Sequence, residues 1–129
     1  MLSINAVHHV AIICADYSVS KRFYTEVLGF KIIAETYRSE RKSYKLDLKV
    51  NEHFQIELFS FPDPPARGSR PEACGLRHIA FLSTDIHGDV AALEAFGIFV
   101  EPIRTDELTG KLFTFFADPD QLPIELYQK

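Results

Sequence analysis

The chain repeats itself. VHHVAI at 7–12 is matched by LRHIAF at 76–81, each a short β-rich run with a histidine in its third position. Each copy of such a repeat must form the same supersecondary unit, so the repeat constrains the fold more than any composition does. After the first run come Ala15-Asp16 and a helical pattern, SVSKRFYTEVLGF; after the second come Thr84-Asp85 and IHGDVAALEAFGI. Val19, Phe23 and Val27 recur at four-residue intervals in the first pattern, and Ile86, Val90, Leu93 and Phe96 form a comparable stripe in the second. That spacing predicts one buried face per helix. An Asp or Ser near each start can cap the helix, and Gly29 and Gly97 stop it.

Strand patterns follow each helix. YKLDLKV (44–50) alternates, Asn51-Glu52 makes a turn, and FQIELFSF (54–61) follows. In the second half KLFTFFA (111–117) leads through a DPDQ turn into LPIELY (122–127). Tyr37 and the Ile98–Ile103 region are expected to supply the remaining strand of each half. Each half therefore reads β-α-β-β-β, an α+β protein of two tandem modules, 1–61 and 76–129. Between them PDPPARGSRPEACG (62–75) holds four prolines and two glycines, too many for a helix or a central strand, and reads as a linker.

Bulk properties narrow the function. A chain of 129 residues, 47% hydrophobic, can bury one respectable core. Its net charge of −4 gives no general attraction to nucleic acid or an anionic membrane. No apolar run approaches the roughly 20 residues of a membrane span, and the start MLSINAVHHV lacks the pattern of a signal peptide. Cys14 and Cys74 have no C-x-x-C spacing and are expected to be free thiols, with the cytoplasm as the expected location.

The repeat extends to two charges. FQIELF and LPIELY share an I-E-L core, and His9 to Glu57 is 48 residues while His78 to Glu125 is 47. An unpaired carboxylate taken out of water costs roughly several kcal/mol unless it is neutralised, paired or bound to a metal. A lone strand histidine is usually a core residue, and a lone strand glutamate usually faces solvent. The joint match of residue type, flanks and spacing makes the four a set. If a pseudo-twofold relates the modules, two imidazoles and two carboxylates converge on a divalent ion such as Zn²⁺, Ni²⁺, Co²⁺, Mn²⁺ or Fe²⁺. Strand parity places His9 on a face with Val7 and Ala11 and turns His8 the other way; His53 and His87 are expected at the surface.

The ordered motifs HHVAI, FYTEVLGF, IELF, LRHIAF, FFADPD and IELY resemble the vicinal oxygen chelate superfamily, and within it glyoxalase I and the small glyoxalase-like metalloproteins. The resemblance implies paired modules in a cupped, barrel-like mixed sheet, with His9, Glu57, His78 and Glu125 as metal ligands and Ni²⁺ or Co²⁺ favoured before Zn²⁺. It implies a metal-dependent lyase or isomerase of lactoylglutathione lyase type. The ion would act as a Lewis acid that stabilises an enediolate on a small oxygenated substrate. Glu125 would remove the proton beside the carbonyl and Glu57 would return one. A homodimer is expected on the same grounds. Alternatives within the resemblance are an extradiol-type dioxygenase, a metal-dependent epimerase or thiol transferase, and a non-enzymatic drug- or metabolite-binding protein like those of bleomycin resistance. Three family anchors for glutathione fall on Ile13, Phe61 and Cys74, none of them charged, so glutathione use is in doubt. Arg38, Arg41, Lys42, Lys45, Lys49, Arg67 and Arg70 are mostly surface charges; any that line the site would favour an anionic substrate. Phe59, Phe61, Phe115 and Tyr127 are candidates for an apolar wall.

Overall fold

The computed structural model describes residues 1–129. They form two compact units, Met1–Ala66 and Arg67–Lys129. Each unit carries one four-stranded mixed sheet and one principal helix, the α+β arrangement expected.

In the first unit β1 (His9–Cys14) leads into α1 (Tyr17–Arg22), then β2 (Lys31–Arg38), β3 (Ser43–Lys49) and β4 (Gln55–Ser60). The sheet order is β1-β4-β3-β2; β1 runs parallel to β4, and the other pairs are antiparallel. The parallel pairing requires the long crossover that α1 and the hairpin strands provide. Asp16 caps α1 by accepting a bond from the Val19 N–H at 3.1 Å. The helix then widens into a π turn over Phe23–Val27, where the Leu28 N–H donates to the Phe23 carbonyl at 3.0 Å. Gly29 ends it at φ 75°.

The buried helix face is rotated by one residue from the expected stripe. Ser20, Phe23 and Tyr24 are buried, whereas Val19 is 50% exposed. Four-residue spacing fits two neighbouring faces of a helix equally well, and Ser20, being polar, gives no hydrophobic signal. Opposite this face lie Leu46 and Leu48 of β3 and Ile56 and Leu58 of β4, all fully buried. Each such side chain contributes about 2 kcal/mol by leaving water.

The second unit runs β5 (Ile79–Ser83), α2 (Ile86–Ala95), β6 (Arg104–Thr105), β7 (Leu112–Ala117) and β8 (Pro123–Gln128), in sheet order β5-β8-β7-β6. Asp85 caps α2 through the Gly88 N–H at 3.0 Å, and the DPDQ turn closes on Asp118, whose Oδ1 accepts from the N–H groups of Asp120 and Leu122. Ile86 and Leu93 are buried, but Phe96 is 56% exposed because the helix has already ended. The strand expected over Ile98–Ile103 is absent; only Arg104 and Thr105 pair with β7. Glu101 makes one ladder-like bond, from its N–H to the Phe115 carbonyl at 2.9 Å. Pro102 follows without a donor and breaks the ladder. Neither cysteine is in a disulfide; Cys14 is buried and Cys74 exposed. No helix is long and apolar enough to cross a membrane.

Candidate metal centre

The I-E-L segments owe their unusual charge to the pleat. Ile56 and Leu58 point into the helix-side core, so Glu57 between them must point to the opposite face of the sheet, and Ile124, Glu125 and Leu126 repeat the arrangement. That face is not open water: the Glu57 and Glu125 side chains are only 11% and 14% exposed.

Register brings a histidine to each glutamate. Ala11 stands across β1–β4 from Glu57, and Ala80 stands across β5–β8 from Glu125. His9 and His78 each precede that alanine by two residues, and period two returns both to the glutamate's face. Alanine is too small to block the approach. His9 Nδ1 lies 3.1 Å from Glu57 Oε2, and His78 Nε2 lies 3.1 Å from Glu125 Oε2. The two pairs belong to different units, each built the same way.

Donor chemistry and spacing suit a divalent ion. Two ligands at about 2.1 Å from one ion and at right angles around it stand about 3.0 Å apart, close to the separation in both pairs. Imidazole nitrogen with carboxylate oxygen is a mixed set that borderline transition ions accept.

His8 departs from the parity expectation. Its Nδ1 is 2.9 Å from His9 Nδ1, the rings meet edge to face, and His8, His9 and Glu57 offer ligand atoms within 4.8 Å of one another. The regular strand begins only at His9, so residue 8 is not bound by the alternation.

Two further residues stand at Glu57: Lys45, one of the cations named as able to line the site, and Asp47, which the sequence reading missed. Lys45 Nζ reaches Glu57 Oε1 at 3.4 Å and Asp47 Oδ1 at 2.9 Å. Asp47, foremost, and Glu57 hold the Lys45 ammonium above its usual range, while desolvation acts the other way. The signal was available in the hairpin: YKLDLKV puts Lys45 and Asp47 on one face, and the turn at Asn51 sets Asp47 across from Glu57. Glu125 has a different surround. Phe115 stands across from it, and the His78 ring meets Phe115 edge to face with centroids 5.2 Å apart. Of the other candidate wall residues, Phe59 and Phe61 lie under the Arg38 guanidinium at 4.8 and 5.6 Å, and the Tyr127 hydroxyl donates to Asp106.

Comparison with known proteins fits this construction. A family model described as the Glyoxalase/Bleomycin resistance protein/Dioxygenase superfamily matches residues 6–126. The chain belongs to that superfamily. It is 61% identical over 126 residues to the uncharacterized protein YwkD of Bacillus subtilis, covering 98% of both chains. It is 57% identical over 129 residues to the uncharacterized protein YaeR of Escherichia coli, covering each completely. A crystal structure of a glyoxalase family protein from Enterococcus faecalis superposes with a TM-score of 0.90 at 46% identity, over 98% of this chain and 99% of that one. As a member of the superfamily, this chain has a duplicated frame and a His/Glu pair in each copy.

Proposed function

We propose that the protein is a metal-dependent lyase or isomerase of glyoxalase type, with His9, Glu57, His78 and Glu125 serving one divalent ion, Ni²⁺ or Co²⁺ before Zn²⁺. The observation that carries this reading is the recurrence, in both units, of an imidazole and a poorly exposed carboxylate at the same sheet register and the same 3.1 Å separation. When bound, the ion supplies Lewis-acid polarisation of two neighbouring substrate oxygens. The chain's residues do the rest. Glu125, against His78 and the Phe115 ring, takes the proton from the carbon beside the carbonyl. Glu57, whose second oxygen faces the Lys45 ammonium, takes the proton of the substrate's hydroxyl and returns it to the former carbonyl carbon, while Glu125 passes its own proton to the oxygen there. The substrate is a small oxygenated molecule, and the family's usual hold on glutathione is missing: Ile13, Phe61 and Cys74 offer no cation where the family resemblance places polar anchors.

Metal analysis of protein purified without chelator tests the reading, followed by assays of the methylglyoxal–glutathione hemithioacetal beside a panel of 2-hydroxycarbonyl compounds. About one transition ion per chain, with turnover of one panel member that chelator abolishes, is expected. Metal-free protein whose melting is indifferent to added Ni²⁺, Co²⁺ and Zn²⁺ would sink it.

The His8, His9 and Glu57 cluster favours a second reading. Two imidazoles with one carboxylate are the donor set of non-haem iron oxygenases, so oxygen uptake with catechols, dependent on Fe²⁺, would put an extradiol-type dioxygenase first.

A further inference from the structure

A cavity of about 420 Å³ opens within the second unit against His78. Arg67, Arg70, Arg77 and Arg104 line it, with Glu72 and Glu101 as the acids and Phe115 as apolar wall. Four of the seven arginines in a chain of net charge −4 therefore meet at one concavity. A low-dielectric wall focuses the field of such a group into the space it encloses.

The four are not equally free. Arg67 is a strut: its Nη2 donates to the carbonyls of Leu76 at 2.7 Å and Arg77 at 3.0 Å, and its Nε donates to Ser69 Oγ at 3.0 Å. Arg77 is paired with Glu72 at 2.7 Å. Arg104 lies over the Phe113 ring at 4.8 Å and the Phe115 ring at 5.9 Å. Its Nη2 makes one long hydrogen bond, to Glu101 Oε1 at 3.5 Å. The aromatic pair holds its guanidinium while leaving donors unspent. Arg70 lines the cavity with no hydrogen bond or ion pair to another residue.

We propose that this cavity binds an oxyanion, the carboxylate or phosphate of a small substrate, with Arg70 and Arg104 as its principal donors. The planar guanidinium fork matches the paired oxygens of either group, which a lysine's point charge does not. Bound there, the anionic group places the adjoining oxygenated carbons beside His78. This assigns a substrate class, small anionic oxygenated molecules, and its link to catalysis rests on the reading above. The oxyanion site itself needs no metal. It also restores cationic recognition that Ile13, Phe61 and Cys74 do not provide, from different positions in the chain.

The test uses full-length protein freed of metal with chelator, so that it is independent of the ion. Arginine Nε–Hε resonances are followed by NMR during separate titrations with inorganic phosphate and glycolate, at ionic strength held constant with chloride. Saturable shifts of the Arg70 and Arg104 signals are expected. Arg70→Gln and Arg104→Lys should each weaken binding at least tenfold without changing Tm; the second keeps the charge and removes only the fork. Tighter binding of phosphate assigns a phosphate ester, and tighter binding of glycolate assigns a carboxylate. Shifts that do not saturate with either anion, or variants that bind as the wild type does, overturn the proposal. Saturable binding by a protein that takes up no metal would retain the oxyanion site and remove the catalytic reading.

Discussion

Asp47 stands directly across the β3–β4 ladder from Glu57. Two acids face each other at one rung, and Lys45 reaches both from the neighbouring position. Like charges opposite each other are unfavourable in a sheet; here the ammonium between them offsets the repulsion. Replacing Asp47 by Asn removes the group that anchors Lys45 at 2.9 Å and leaves the lysine to compete for Glu57. The expected outcome is a loss of roughly tenfold in affinity for the divalent ion, the scale of outer-shell effects on metal ligands, with little change in Tm of the metal-free protein. Competition with a chromogenic chelator measures it.

The proposed ligands make a sharper prediction. His78→Ala and Glu125→Gln should reduce metal content as severely as His9→Ala and Glu57→Gln, because both pairs have the same register and spacing. Bound metal below a tenth of the wild-type amount is expected for all four. Retention of full metal content by both second-unit variants would confine the site to the first unit, where His8 is at hand.

Gly88 sits one turn into α2, where alanine ordinarily strengthens a helix by about 1 kcal/mol. At this position an added Cβ would stand 2.3 Å from Asp85 Oδ2, the carboxylate that caps the helix. Gly88→Ala must therefore push the cap aside, and the loss of about 1 kcal/mol from the cap cancels the gain. Urea denaturation should find Gly88→Ala no more stable than wild type, and Asp85→Ala about 1 kcal/mol less stable.

Leu58 is fully buried and faces Leu46, also fully buried, across the ladder. Leu58→Ala removes the transfer free energy of the side chain and leaves a cavity, with an expected cost of about 2–5 kcal/mol in chemical denaturation. The same substitution at Leu82, which is 69% exposed on β5, should cost well under 1 kcal/mol.

Glu35 on β2 accepts a hydrogen bond from Lys21 at 2.7 Å and another, short one from the Tyr17 hydroxyl. Lys21 foremost, and then Tyr17, hold its carboxyl below the ordinary value of 4.5. A carboxyl depressed on folding contributes stability that is present above its unfolded value and is lost as pH falls through the folded one. Glu35→Gln should therefore be less stable than wild type at neutral pH, with the gap closing as pH drops below 4.5. Tyr17 shifts the opposite way, raised by burial and then by Glu35, so its phenol stays protonated throughout this range. Both Lys21 and Glu35 are about a third exposed, and added salt should narrow the gap.

The frame was legible because duplication checks itself. One I-E-L segment is ambiguous; two at matched distances from two histidines are not, and Glu57 and Glu125 emerge as the least exposed carboxylates of their sheets. Local competition decided the failures. Val19 lost the helix interior to Ser20 because a four-residue period does not distinguish adjacent faces, and Pro102, with no N–H to donate, interrupts the strand expected over Ile98–Ile103. His8 turned toward His9 because alternation governs residues inside a strand, not the one before it. Lys45 and Asp47 depend on cross-strand register, which pattern alone leaves implicit. The arginine-lined cavity was the least readable feature, since Arg67, Arg70, Arg77 and Arg104 are gathered from a proline-rich stretch and a distant edge strand.

Arg67 gives that proline-rich stretch a second character. Tied to the carbonyls of Leu76 and Arg77, residues 67–77 are a closed ring of chain rather than a slack tether, and none of them lies in a strand or helix. Mutations can drift through such a ring without disturbing the hydrogen-bonded ladders that hold the histidines and glutamates. Substitutions there can thus reshape the lining of the cavity while the paired imidazoles and carboxylates keep their places.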